Sequence, residues 1–123
     1  MSRVLIVDDE PSIREFLRVG LSYAGYTVTT AADGPEALMV PEAFEVLLTD
    51  LMMPRMRGDE LARQMRQREP DLKVLYLTAF SDRLFETKTN LWEGEAFLDK
   101  PATVQAIVGA IEMLLNEDVI RSA

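Results

Sequence analysis

Five short strand-like runs, each followed by a stretch with helical spacing, limit the fold of this chain more than any other feature. Such alternation is the mark of βα units built into a parallel sheet. The first run, Val4 to Val7, is apolar on both faces, as befits a strand covered by helices on both sides. It stops at Asp8-Asp9-Glu10, and Pro11 suits the first turn of a helix. Ile13, Phe16, Leu17, Gly20, Leu21 and Ala24 then fall on one predicted helical face, which Gly25 terminates.

The second strand is predicted over Tyr26 to Ala31. Asp33-Gly34-Pro35 opens a helix carrying Ala37, Leu38 and Val40, and Pro41 should keep it short or irregular. Glu45 to Thr49 reads as the third strand, ending at Asp50. A loop from Leu51 to Gly58 leads to a helix over Asp59 to about Arg68, with Leu61 and Met65 inward. Lys73 to Leu77 is the fourth strand, closed by Thr78; a helix is placed at Asp82 to Trp92. Ala96 to Leu98 is the fifth strand, followed by Asp99-Lys100-Pro101. The last helix carries Val104, Ile107, Val108, Ile111 and Leu115 to about Asn116, leaving a polar tail over residues 117–123. Right-handed crossovers leave few topologies. The expected fold is α/β: a doubly wound, five-stranded parallel sheet of flavodoxin-like order 2-1-3-4-5, a (βα)5 three-layer sandwich with its crevice at the carboxyl ends of strands 1 and 3.

Composition narrows the chemistry. The 123 residues suffice for one domain, and 48% hydrophobic content supports a core. Neither cysteine nor histidine is present, which removes thiolate and imidazole metal ligands, Ser-His-Asp catalysis and a phosphohistidine carrier. A net charge of −8 disfavours binding to nucleic acid. No apolar run approaches a membrane span and no leader pattern is visible, so a cytoplasmic location is expected.

In the expected fold Asp8, Asp9, Asp50, Thr78 and Lys100 converge on one rim. Crowded carboxylates repel one another, and a hard divalent cation relieves that repulsion. Oxygen-only donors at an open site suit Mg²⁺, with Mn²⁺ as an alternative. Lys100 adds a point charge and Thr78 a neutral donor, which together would receive a tetrahedral dianion. With no thiol or imidazole, a carboxylate is the available nucleophile, and its attack on phosphorus gives an acyl phosphate.

Each residue also has a plainer reading. Asp8-Asp9-Glu10 suits a helix N-terminus. Asp50 suits a turn, Thr78 a strand end, and Lys100 a solvated surface. Taking all four as incidental requires four coincidences at one rim. Phe97 in a strand also reads as core, and Phe80, Phe85 and Trp92 read as core or, failing that, as an exposed contact patch.

VLIVDDE (Val4 to Glu10), LLTDLMMPRMRG (Leu47 to Gly58), VLYLTAF (Val74 to Phe80) and AFLDKP (Ala96 to Pro101) occur in this order and at these separations. With them the whole chain, residues 1–123, resembles the receiver domain of bacterial two-component response regulators. The resemblance implies that Asp50 is the phosphoacceptor and that Asp9 and Asp50 ligate Mg²⁺. Asp8 helps mostly through water, and the Met52 backbone carbonyl is a further ligand. Lys100 would contact the phosphoryl group, or the Asp50 carboxylate in its absence. Thr78 would supply the hydroxyl that moves on activation, and Phe97 would be the aromatic switch. Pro101 matches a proline after a cis peptide bond, and Gly58 the turn glycine before the third helix. The implied donor is a histidine kinase or histidine phosphotransfer protein. The implied output surface, for a downstream protein, is the face of the helix at Asp82 to Trp92, the fifth strand and the last helix.

Rival readings make different demands. A haloacid-dehalogenase-like Mg²⁺-dependent phosphohydrolase resembles DxD at its nucleophile, whereas Met52 stands two residues beyond Asp50. A flavodoxin would need a Ser/Thr/Gly-rich phosphate loop where Asp8-Asp9-Glu10 stands. A docking-only receiver would lack reactive positions that are filled here. Conventional turnover of an external substrate is therefore not expected. The bulk of Met52 and Phe80 is expected to restrict attacking water and prolong the phosphorylated state. The chain reads as a stand-alone regulator or as a piece of a longer regulator or hybrid kinase.

Overall fold

The computed structural model describes residues 2–79 and 94–122, with side chains described as far as Glu117. The elements are β1 (Arg3–Val7), α1 (Pro11–Tyr23), β2 (Thr27–Ala31), α2 (Gly34–Leu38), β3 (Val46–Thr49), α3 (Gly58–Arg68), β4 (Lys73–Thr78), β5 (Glu95–Asp99) and α4 (Val104–Ser122). The strands form one five-stranded parallel sheet in the order β2-β1-β3-β4-β5. This is the flavodoxin-like order expected. The predicted helix at Asp82 to Trp92, with Phe80, Phe85 and Trp92, lies outside the described residues.

Alternation along the strands feeds two cores. Leu5, Val7, Leu47, Val74 and Tyr76 face Ala37 of α2 and Leu61, Ala62 and Met65 of α3. Val4, Ile6, Val46, Leu48, Leu75 and Leu77 face Leu17 and Leu21 of α1 and Ile107, Ile111 and Leu114 of α4. Both faces of β1, β3 and β4 are thus covered, which explains why these strands are apolar at nearly every position. Full burial of each large aliphatic side chain contributes roughly 1.5–3 kcal/mol.

The helices begin and end for local reasons. Pro11 occupies the start of α1, and beyond its end Gly25 adopts φ +104°, a left-handed conformation that turns the chain into β2. Asp33 caps α2 by accepting the Glu36 N–H at 2.9 Å, and α2 ends at Leu38, before Pro41, short as predicted.

Three expectations need correction. Phe16 shares the predicted apolar face of α1 but is 53% exposed, because the sheet and α4 cover only the strip through Leu17 and Leu21. The helix expected to stop near Asn116 continues to Ser122, so there is no separate polar tail over residues 117–122. No Pro or Gly interrupts that stretch, and Glu117 reaches back to Lys73 of β4 at 3.7 Å. Strand β5 is longer than Ala96 to Leu98 because Glu95 and Asp99 pair in register with Val74 and Thr78.

Candidate functional site

The carboxyl ends of β1 and β3 are tied together before any side chain acts. The Asp50 N–H donates to the Val7 carbonyl at 3.1 Å, and the Asp8 N–H donates to Ala31 at 3.3 Å. Asp8 and Asp50 therefore leave neighbouring strands side by side, both buried, with exposed Asp9 beside them. Carboxylate oxygens of the three lie within 4.8 Å of one another.

Lys100 completes the group from beyond β5. Its Nζ donates to Asp8 Oδ2 at 3.0 Å and to Asp50 Oδ2 at 3.1 Å. Its backbone N–H donates to the Thr78 carbonyl at 3.0 Å, so the lysine and the end of β4 are held together. Thr78 is fully buried. The Lys100–Pro101 peptide bond is cis, as the resemblance implied.

Burial pushes the Asp50 carboxyl above its ordinary range, and the neighbouring Asp8 charge adds to this. Lys100 and the Met52 backbone N–H pull it back only in part. Burial alone would lower Lys100, but Asp8 and Asp50 together hold it above the ordinary lysine range, so it is cationic at neutral pH.

The loop after Asp50 is fixed at both ends. A Cβ on Gly58 would stand 2.2 Å from the Asp50 carbonyl oxygen, so only glycine fits beneath the end of β3. The Gly58 N–H closes the loop on Leu51 at 2.8 Å. Farther out, Arg55 adopts φ +71° and its guanidinium grips Asp33 Oδ2 at 2.7 and 3.0 Å.

Sequence reasoning therefore named the residues that meet here: Asp8, Asp9, Asp50 and Lys100, with Thr78 alongside. It missed Arg14, whose Nη1 donates to the Asp8 carbonyl at 2.6 Å. The available signal was a basic residue close to a helix start, where the dipole disfavours it. It also missed the Asp33–Arg55 pair, for which nothing local in the sequence gave a sign. Phe97 is half-buried against the core on the α2–α3 side of the sheet, directly across from Tyr76.

Residues 4–112 match the response regulator receiver domain family. The chain belongs to that family. Among curated relatives, this receiver is 36% identical over 117 residues to the response regulator receiver protein CpdR of Brucella abortus, covering 94% of this chain and 98% of that protein. It is 40% identical over 117 residues to the response regulator MprA of Mycobacterium ulcerans, covering 93% of this chain. The receiver spans 50% of the length of MprA. Among solved structures, the response regulator TrrA of Thermotoga maritima, in complex with Mg²⁺–BeF, superposes with a TM-score of 0.80 at 32% identity over 93% of this chain and 99% of that one. The chemotaxis response regulator CheY4 of Vibrio cholerae gives a TM-score of 0.80 at 33% identity, over 93% and 98%. The receiver is thus a flavodoxin-like module of two-component signalling. Among the described residues no helix is long and apolar enough to cross a membrane.

Proposed function

We propose that this receiver accepts a phosphoryl group on Asp50 from a phosphohistidine donor, in a Mg²⁺-dependent reaction, and relays the event as a change of conformation. The observation that carries this reading is the Lys100 ammonium bridging the buried Asp8 and Asp50 carboxylates, with Asp9 exposed beside them.

The donor set fits Mg²⁺. The cluster offers oxygen ligands only, at an open rim, and three carboxylates face one lysine. Asp8 has both oxygens engaged, by Lys100 and by the Glu10 N–H at 2.9 Å, which suits a role through water. Asp9, Asp50 and the Met52 carbonyl would be the direct ligands. Bound there, the ion would offset the charge on the phosphoryl oxygens. TrrA, 32% identical, was solved with Mg²⁺ and BeF together.

The remaining work falls to side chains. An Asp50 carboxylate oxygen forms a bond to phosphorus as the P–N bond of phosphohistidine breaks, and the electron pair leaves with the imidazole. Lys100 keeps Asp50 ionised against its burial and then turns its charge to the phosphoryl group. The Thr78 hydroxyl moves toward that group, and Phe97 repacks as Thr78 vacates its place. Phosphorylation thereby shifts a two-state equilibrium. Water attack on phosphorus restores the carboxylate, and the bulk of Met52 limits its approach. Receiver domains of response regulators interact with histidine kinases; the donor here is such a kinase or a phosphotransfer protein. The downstream protein would dock on the face that includes β5 and α4.

The test is incubation with a small acyl-phosphate donor and Mg²⁺, followed by mass spectrometry. One phosphoryl group is expected on Asp50, none in Asp50→Asn, and none after chelation of the metal. A label on another residue, or one indifferent to chelation, overturns the reading. Replacing Met52 with a small polar residue should shorten the lifetime of the label.

A further inference from the structure

We propose that Arg14 is a positioning residue for the metal site, and that it acts by fixing the peptide unit between Asp8 and Asp9. This rests on the Mg²⁺ reading given above.

Asp8 is buried, and each of its polar groups has a partner. Its N–H donates to Ala31, Oδ1 accepts from the Glu10 N–H, and Oδ2 accepts from Lys100. The fourth partner is Arg14, one turn into α1, which reaches back to the Asp8 carbonyl at 2.6 Å. That carbonyl belongs to the planar unit that also holds the nitrogen and Cα of Asp9. The next peptide unit is held as well, by the Glu10 N–H on Asp8 Oδ1, and fixing both planes that flank Asp9 fixes the line along which its side chain leaves the backbone. Asp9 itself is exposed and its carboxylate belongs to the converging cluster. Its aim is therefore set through its backbone, on one side by Arg14 and on the other by the Asp8 carboxylate.

The location of Arg14 argues against a merely local helical role. A cation near the N-terminus of α1 opposes the helix dipole, which the acids Asp8, Asp9 and Glu10 before the helix favour, and its guanidinium turns back out of the helix. The offsetting partner is the Asp8 carbonyl.

Two mechanisms for Arg14 predict opposite signs. As a nearby positive charge, it repels a divalent cation, and its removal would tighten binding. As a positioning residue, its removal weakens binding, by about tenfold if it resembles other side chains that orient metal ligands.

Calorimetric titration of Mg²⁺ into the metal-free parent, Arg14→Met and Arg14→Lys decides between them, with Asp9→Asn as the reference for a lost ligand. Arg14→Met should bind Mg²⁺ about tenfold more weakly. Arg14→Lys, which keeps a donor and the charge, should fall between it and the parent. The Mg²⁺ concentration needed for half-maximal phosphorylation should rise in Arg14→Met, while the rate at saturating Mg²⁺ stays close to that of the parent. The metal-free melting temperatures report whether folding is intact, and should Arg14→Met fail to fold, the Arg14→Lys affinity decides. Equal or tighter binding in the variants overturns the role of Arg14 and leaves the site reading standing. A parent that does not bind Mg²⁺ overturns both.

Discussion

At the carboxyl ends of the strands, Lys100 bridges two of three clustered carboxylates and the cluster opens to solvent through the third, Asp9. At the amino ends of β4 and β5 a second charged group is built the other way. Glu95, its side chain fully buried, faces Arg66 of α3 at 2.8 Å and the Tyr76 hydroxyl at 3.4 Å. The same guanidinium donates to the Leu72 carbonyl, by Nη2 at 3.0 Å and Nε at 3.2 Å, and to Gly94 at 3.4 Å. Here a cation and an anion are paired directly within the fold. Among the described residues, one sheet thus carries a direct Arg–Glu pair at one end and, at the other, three clustered carboxylates of which two pair with Lys100. On the proposed reading, that surplus of carboxylate is what an ion and a phosphoryl group would offset; the Arg66–Glu95 pair ties α3 to the start of β5.

The largest effect should come from breaking the matched pair. Arg66→Ala leaves the Glu95 carboxylate buried without its guanidinium, which costs about 3–5 kcal/mol. Thermal unfolding should fall by on the order of 10 °C. Mg²⁺ affinity should not change. Replacing both partners, Arg66→Met with Glu95→Leu, should recover most of the loss, because no stranded charge remains. If the single variant melts like the parent, or weakens Mg²⁺ binding, the division between the two ends fails.

The two clusters also differ in how well the sequence disclosed them. Asp8, Asp9, Asp50, Thr78 and Lys100 each follow an apolar run, so chain order alone put them on one rim. Glu95 and Arg66 had no such marker. The sequence pattern starts strand 5 at Ala96, and nothing in it distinguishes Arg66 from the other arginines of α3. Their pairing across 29 residues exists only because α3 runs back along β4 and β5. Phe16 teaches the same lesson in the apolar core. Helical spacing identified its stripe, but which edge of the stripe is covered depends on neighbours that local sequence does not specify. Likewise, polarity suggested that the last helix ends near Asn116, whereas the backbone continues until something stops it.

Metal should separate the two ends next. If the rim binds Mg²⁺, a hundredfold excess over the dissociation constant raises stability by about 2.7 kcal/mol. The gain should vanish in Asp9→Asn and persist in Arg66→Ala. Equal gains in the parent and Asp9→Asn would place the ion elsewhere.

Asp50→Asn should act in the opposite direction to Arg66→Ala, stabilising the metal-free protein. Burial raises the Asp50 carboxyl in the folded state above its unfolded value of 3.8. Over the window from that value up to the folded one, the folded state binds more protons. Stability therefore falls as pH rises through the window and remains lower above it. Asparagine removes this titration, so the difference between variant and parent should grow as pH rises from about 4. Denaturant midpoints in the presence of chelator measure it. A variant less stable than the parent at neutral pH would mean that the attraction of Lys100 outweighs the burial of Asp50.

The smallest expected effect probes the edge of the matched cluster. Burial and the nearby Glu95 charge hold the Tyr76 hydroxyl well above its ordinary range, so it remains a donor at any working pH. At 3.4 Å its bond to Glu95 is long, and Arg66 supplies the shorter contact. Tyr76→Phe should therefore cost only about 0.5 kcal/mol. Tyr76 also lies opposite Phe97 and two residues before Thr78 on the same strand. A clamp that is structural alone predicts that the phosphorylation rate of Tyr76→Phe with a small donor matches the parent. A changed rate with unchanged stability would instead connect the two ends of the sheet, through the packing of Tyr76 against Phe97.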